Sequence, residues 1–300
     1  MKSPLKAHLA LIGTNIFFAV NFTAVKWLIG ENMILPFGLN WIRMLVTVSL
    51  LWAMYLIYPI RANFDRKDWF RLLLCSLTGI VVNQLLFVKG LSMTYSIHAS
   101  LLMLATPIFI TILGAWFFKD KLTWLKWVGL ILGVAGASIL ILASQKGGNA
   151  SDVLWGDILV IINAISYSLY FILVKPLMQK YHPIPVTRIL FSIGLIVAMP
   201  FCWNEFIAIP WQKYTVNSWM VLAQITIGGT FLAYTFNIFG IKHLGPSVAG
   251  TYIYTQPVFA AFIAMAVLSE PMEWYKMLAG LCIFTGVFLA NKKAEKNEAD

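Results

Sequence analysis

The chain has 300 residues, 60% of them hydrophobic and 11% charged, with a formal charge of +10. Soluble domains carry about 25% charged and about 45–50% apolar residues, so a water-soluble core is excluded and the apolar surface must meet lipid. The Lys and Arg lie in short segments between apolar runs rather than in one stripe, which reads as a set of topology signals and excludes nucleic acid as a partner.

In chain order, the first apolar run is Ala7–Gly30. It follows a basic start but is too long for the apolar region of a signal peptide, and it carries Asn15 and Asn21, so a retained span is expected. Ile34–Tyr58, Trp69–Lys89, Ser96–Phe118 and Leu122–Ala143 follow. After the polar break Gln145–Asp152 come Val153–Val174, Pro185–Asn204, Ser218–Gly240, Pro246–Leu268 and Glu273–Asn291. Each run is near the ~20 residues that cross hydrocarbon as a helix. The runs are continuous rather than alternating, so strands are excluded. The predicted class is an all-α integral membrane protein of ten transmembrane helices. Cys75, Cys202 and Cys282 fall in or beside these runs, an odd number with no CxxC or Cys/His cluster, so neither a disulfide framework nor a metal site is expected.

Alternating the loops sorts the cations. Sixteen Lys and Arg fall on the side of both termini, four on the other, and Lys26 and Arg43 within spans, which accounts for all 22. The positive-inside rule then predicts cytoplasmic N- and C-termini.

The two halves repeat. Shifting the chain by 150 residues aligns Trp69–Ala137 with Trp219–Val287, with identities at Gly79/Gly229, Gly90/Gly240, Pro107/Pro257, Trp124/Trp274 and Gly136/Gly286, and an acid at Asp120/Glu270. Five spans per half is odd, so the second copy must enter the membrane inverted, the arrangement that lets a central site open to either side. The predicted divisions are a first five-helix repeat over 1–144, an external linker over 145–152, an inverted second repeat over 153–291 and a cytoplasmic charged tail over 292–300.

The segments HASLLMLATPIFITILGAWFFKDKLTWLKWVGLILGVAGASIL and VAGTYIYTQPVFAAFIAMAVLSEPMEWYKMLAGLCIFTGVFL resemble the EamA type of the drug/metabolite transporter superfamily, and the resemblance covers nearly the whole chain. The turn Ser269-Glu270-Pro271 fits the family; Lys119-Asp120-Lys121 departs from its usual Glu. The resemblance implies a secondary transporter, most often an exporter of amino acids, purine-type metabolites, sugars or toxic compounds. Flipping of a lipid-linked sugar or other amphiphile is the alternative.

Candidate binding residues come from polar groups inside the spans, where each needs a protein partner or water. Asn163, Tyr167 and Tyr170 share one helical face, and their repeat counterparts, offset by 149, are Thr14, Phe18 and Asn21. Asn83 and Gln84 are adjacent near the middle of their span, and Gln84 pairs by repeat with Tyr234. Pro107 and Pro257 are central in their runs and each removes an amide from the ladder, so both helices are expected to kink at one depth. Gln256 and Tyr252 stand beside the second kink. The expected cavity is lined by Gln256, Tyr252, Asn83, Gln84, Asn163 and Tyr167. His98, near an outer helix end, is a candidate for coupling. Arg43 is a candidate carboxylate clamp, against the plainer reading of a snorkelling or backbone-paired side chain.

No Asp or Glu lies at the centre of a span, so obligate proton coupling has no visible carrier and passive or gradient-driven transport is expected. Asp157 comes within about a turn of its helix start. There is no GxxxxGK[ST] loop for a built-in ATPase, and no HExxH, GxSxG or paired intramembrane aspartates for an intramembrane enzyme. A channel would call for a repeated filter or a ring of charge. The expected partners are the lipid bilayer and a small-molecule substrate, with no cofactor and a monomeric working unit in a bacterial inner membrane.

Overall fold

The computed structural model of the chain describes residues 3–118, 124–144 and 152–291. The turn Lys119-Asp120-Lys121, nearly all of the polar break Gln145–Asp152 and the charged tail 292–300 lie outside the described residues. Within them the regular structure is entirely helical: α1 (Ser3–Gly30), α2 (Pro36–Ile57), α3 (Arg66–Met93), α4 (Ser96–Leu102), α5 (Ala105–Phe118) and α6 (Trp124–Ser144). There follow α7 (Val153–Lys180), α8 (Pro183–Ile207), α9 (Val216–Gly245), α10 (Gln256–Leu268) and α11 (Trp274–Asn291).

Among the described residues, seven helical stretches are long and apolar enough to cross a membrane: α1, α2, α3, α7, α8, α9 and Ser96–Gly114, which α4 and most of α5 form together. The expected span Pro246–Leu268 is not one rod. Gly245 takes a left-handed φ of 84°, residues 246–251 form a short helical piece, Tyr252–Thr255 tighten into a 3-10 turn, and α10 then runs for 13 residues. In the first half Met103 and Leu104 form a turn between α4 and α5, and the Met103 carbonyl accepts from Thr106 N at 3.0 Å. Pro107 thus sits in the first turn of α5 and Pro257 in that of α10, where a missing amide leaves no intrahelical bond unmade.

Several helices outrun their apolar segments, because the ladder continues until a cap stops it. Asp152 Oδ1 accepts from Trp155 N to start α7, and Thr215 Oγ1 accepts from Ser218 N to start α9. The lipid-facing surface carries Leu56, Ile196, Val216 and Phe262 exposed, with Trp116, Trp124 and Trp274 among the exposed aromatics.

The packing has an exchange symmetry. α1 packs along α9 and α10, while α7, its repeat counterpart, packs along α3 and α5; α2 lies along α8, and α6 along α11. Repeated glycines make repeated contacts. A Cβ on Gly79 would meet the Tyr170 ring, and one on Gly229 would meet the Asn21 side chain, the position 149 residues earlier than Tyr170. Gly90 faces Val160 in the same way that Gly240 faces Leu11, again 149 apart.

Two carboxylates, Glu205 half-buried and Glu270 buried, tie distant helix starts. Glu205 in α8 accepts from Phe37 N and Gly38 N at 2.7 and 3.1 Å, and Glu270, after α10, accepts from Ser96 N and Ile97 N at 2.9 and 3.1 Å. Both use amides that a helix leaves unpaired at its N-terminus.

Candidate functional site

Both α3 and α9 widen into π-helical turns at repeat-equivalent places, Leu77–Val81 and Gln224–Leu232. Such turns loosen the ladder and re-aim the residues that follow. Side chains take up nearby carbonyls: Ser166 Oγ donates to Thr78 O at 2.8 Å, Tyr234 OH to Gly79 O at 3.2 Å, and Asn163 Nδ2 to Asn83 O at 2.6 Å. Irregular backbone inside a membrane bundle survives where protein or a watered cavity supplies such partners.

A central void lies beside these turns. Its walls include Asn21 of α1, Arg43 of α2, Asn83 and Gln84 of α3, Asn163 and Tyr167 of α7, Tyr234 of α9 and Gln256 of α10. The remaining lining is apolar: Phe18, Phe22, Phe87 and Met103. The empty space is about 450 Å³ when counted out to its mouth, but the centres of water-sized spheres reach only about 40 Å³ of it. At about 10–15 Å³ per water, this conformation admits a few waters, and a larger occupant needs side chains to move.

Some wall groups are mutually satisfied. Tyr234 OH, whose one proton is shared with Gly79 O, donates to Asn83 Oδ1 at 2.8 Å, Asn237 Nδ2 to Tyr167 OH at 2.7 Å, and Gln256 Nε2 to Asn15 Oδ1 at 2.5 Å. Others have no hydrogen-bond partner among the described residues: Asn21 Oδ1, Asn163 Oδ1, both amide atoms of Gln84 and Arg43 Nη1. Buried polar groups are paired in the great majority of cases, and these five unpartnered atoms all belong to residues that border the void. Arg43, 2% exposed, donates through Nε to Thr230 Oγ1 at 2.9 Å. No carboxylate among the described residues lies within ion-pair distance of it.

The structure thus gathers Asn21, Asn83, Gln84, Asn163, Tyr167, Tyr234, Gln256 and Arg43 around one void and leaves the other candidates elsewhere. Thr14 is a packing contact: its hydroxyl reaches Ala10 O at 2.9 Å and Ala233 O at 3.2 Å, fastening α1 to α9. Tyr170 stacks behind Tyr167 with ring centroids 5.8 Å apart and lies over Gly79, so it backs the wall rather than forming it. Tyr252 falls in the 3-10 turn and its hydroxyl meets His8 Nδ1 at 2.5 Å, because the turn rotates it off the face of Gln256. Pro107 is buried within the bundle, while Pro257 borders an apolar groove with Phe259 and Phe262. His98 is fully buried, 3.3 Å from Asp157 Oδ2, and Asp157 also accepts from the Thr94 hydroxyl. Lys26 closes the same end with its ammonium on Thr94 O at 2.5 Å.

Sequence reasoning missed Asn15, Asn237 and Thr230, which fix the wall residues from behind, and it gave no site role to Asp157, near a helix start, or to Glu270, in the acidic turn. The repeat held a clue for Asp157. His8 stands 149 residues before it, and each makes a polar bridge from the start of its helix.

A crystal structure matches 96% of this chain and 96% of its own at a TM-score of 0.64 and 16% identity, which concerns the fold alone. An "uncharacterized transporter" of Archaeoglobus fulgidus is 24% identical over 96% of this chain and 98% of that protein. YetK of Bacillus subtilis, also named an uncharacterized transporter, is 23% identical over 98% of this chain and 88% of that protein. YedA of Escherichia coli K12, named an uncharacterized inner membrane transporter, is 24% identical over 64% and 60%. The EamA-like transporter family matches residues 5–142 and 154–292. With that match across almost its full length and with its apolar helices, the chain is a multi-pass membrane protein and belongs to the EamA-like transporter family.

Proposed function

We propose that the chain is a secondary transporter, an exporter of a small polar metabolite such as an amino acid, working by alternating access in a bacterial inner membrane. The observation that carries this reading is the void ringed by unpartnered polar atoms from α1, α2, α3 and α7 in the middle of an apolar bundle. Amide and phenol groups of this kind bind and orient. In this reading the chain makes ten spans, residues 1–144 and 153–291 form two inverted repeats, and the pseudo-twofold axis lies in the membrane plane. The exchange symmetry of the helix contacts and of the glycine pairs supports it.

Two polar bridges stand at repeat-equivalent places and serve as the two gates: Asp157 with His98 and Thr94 near the helix starts of α7 and α4, and His8 with Tyr252 near the start of α1. Opening one and closing the other exposes the void to alternate sides.

Purified protein in liposomes is expected to pass water-soluble amino acids and related metabolites in exchange, with Gln256→Ala and Tyr167→Phe slowing the flux. Scrambling of a labelled lipid with no metabolite flux would favour a flippase and sink this reading. Cytoplasmic termini are part of the same proposal. With Cys75, Cys202 and Cys282 changed to Ser, an impermeant thiol reagent applied outside cells should label Asn149→Cys and spare Asn63→Cys. The reverse pattern overturns the orientation.

A further inference from the structure

We propose that the occupant of the central void carries a carboxylate and that Arg43 is the group that recognises it, an inference that names the substrate class within the transport reading. A guanidinium stays protonated in a protein and cannot shed its charge when buried. Arg43 is almost wholly buried, yet among the described residues its one hydrogen-bonded partner is the neutral Thr230 hydroxyl, and Nη1 has none. An uncompensated charge away from water is among the most costly arrangements in a fold. A carboxylate against the free edge of the guanidinium removes that cost and uses the fork geometry for which Arg is suited.

The rest of the void fits such a molecule. Among the described residues no Asp or Glu lines it, so no carboxylate there repels an anion. Asn163, a lining residue, carries an unpartnered acceptor for a donor elsewhere on the molecule, and an amide NH₂ on Gln84 adds a second donor for the acid. Phe18, Phe22 and Phe87 form an apolar wall for its tail. A simple apolar acid and a zwitterionic amino acid share this chemistry; the second adds an ammonium group for the amide oxygens.

The test is thermal stability of the purified full chain in detergent, titrated with acetate, 4-methylpentanoate, phenylacetate and L-phenylalanine, each beside its own amide. Expected is a concentration-dependent rise in melting temperature with one or more of the acids and none with the matching amide. Arg43→Gln should weaken that acid at least tenfold, and Arg43→Lys should restore part of the preference over the amide. A response to L-phenylalanine without phenylacetate identifies the zwitterion; the converse identifies the simple acid. Equal responses to acid and amide, no response to any acid, or full acid binding by a folded Arg43→Gln protein would overturn the assignment. If Arg43→Gln does not fold, the acid-against-amide comparison in the unaltered protein still decides. Acid-selective binding without flux in liposomes sinks the transport reading and leaves this one standing; flux of neutral compounds alone does the opposite.

Discussion

Gly156→Val should leave little folded protein in the membrane. A Cβ at this position would lie 2.8 Å from Thr94 N and 2.9 Å from Gly90 O. Both obstacles are backbone, so no side chain can swing aside, and the end of α3 would have to move away from the start of α7. Overpacking of this kind costs about 1–3 kcal/mol and sometimes more. Here the separation also pulls Thr94 from Asp157, so a loss of about 3 kcal/mol or more is expected, by adding the hydrogen bond's share. Gly30→Val is the control, since no atom lies within 4 Å of its added Cβ. Yield after size-exclusion chromatography and melting temperature in detergent are the measurements. Equal values for the two variants would show that the α3–α7 contact is not as tight as described.

Glu270→Ala carries the other large effect. Its carboxylate holds the amides of Ser96 and Ile97 at the start of α4 while 7% exposed, so removing it strands two donors away from water. Hydrogen bonds to a charged group are worth about 1.5–3 kcal/mol each, and the positive end of the helix adds to them. A destabilisation of about 3 kcal/mol is expected, with Glu270→Gln in between because the amide keeps one acceptor oxygen. A melting temperature unchanged in both variants would refute the cap.

The helical class was legible because ten long apolar runs leave the backbone no other way to pair its groups in lipid. The ninth run reads as one span in sequence, whereas the 3-10 turn at Tyr252–Thr255 divides it, just after the break at Gly245. Hydropathy measures what lipid tolerates and says little about where a ladder breaks. At the site, helical spacing separated wall positions from lipid positions but could not rank neighbours on one face. Thr14 and Asn15 are adjacent in sequence, yet Thr14 fastens α1 to α9 while Asn15 braces Gln256 from α10. That difference depends on which helix comes alongside, and a single sequence does not carry it. Arg43 shows the same limit: its burial follows from the meeting of α2 with the π turn of α9, where Thr230 waits.

The two carboxylate caps have a consequence for biogenesis. Phe37 and Gly38 depend on a residue 168 and 167 positions later in the chain, and Ser96 and Ile97 on one 174 and 173 later. At about 5–20 residues per second on the ribosome, those amides wait roughly ten to thirty seconds for their acceptors. During that interval α2 and α4 enter the bilayer with bare ends, so the early helices need the insertion machinery or the headgroup layer to hold them. Helices of the first half are completed only by acids made in the second half.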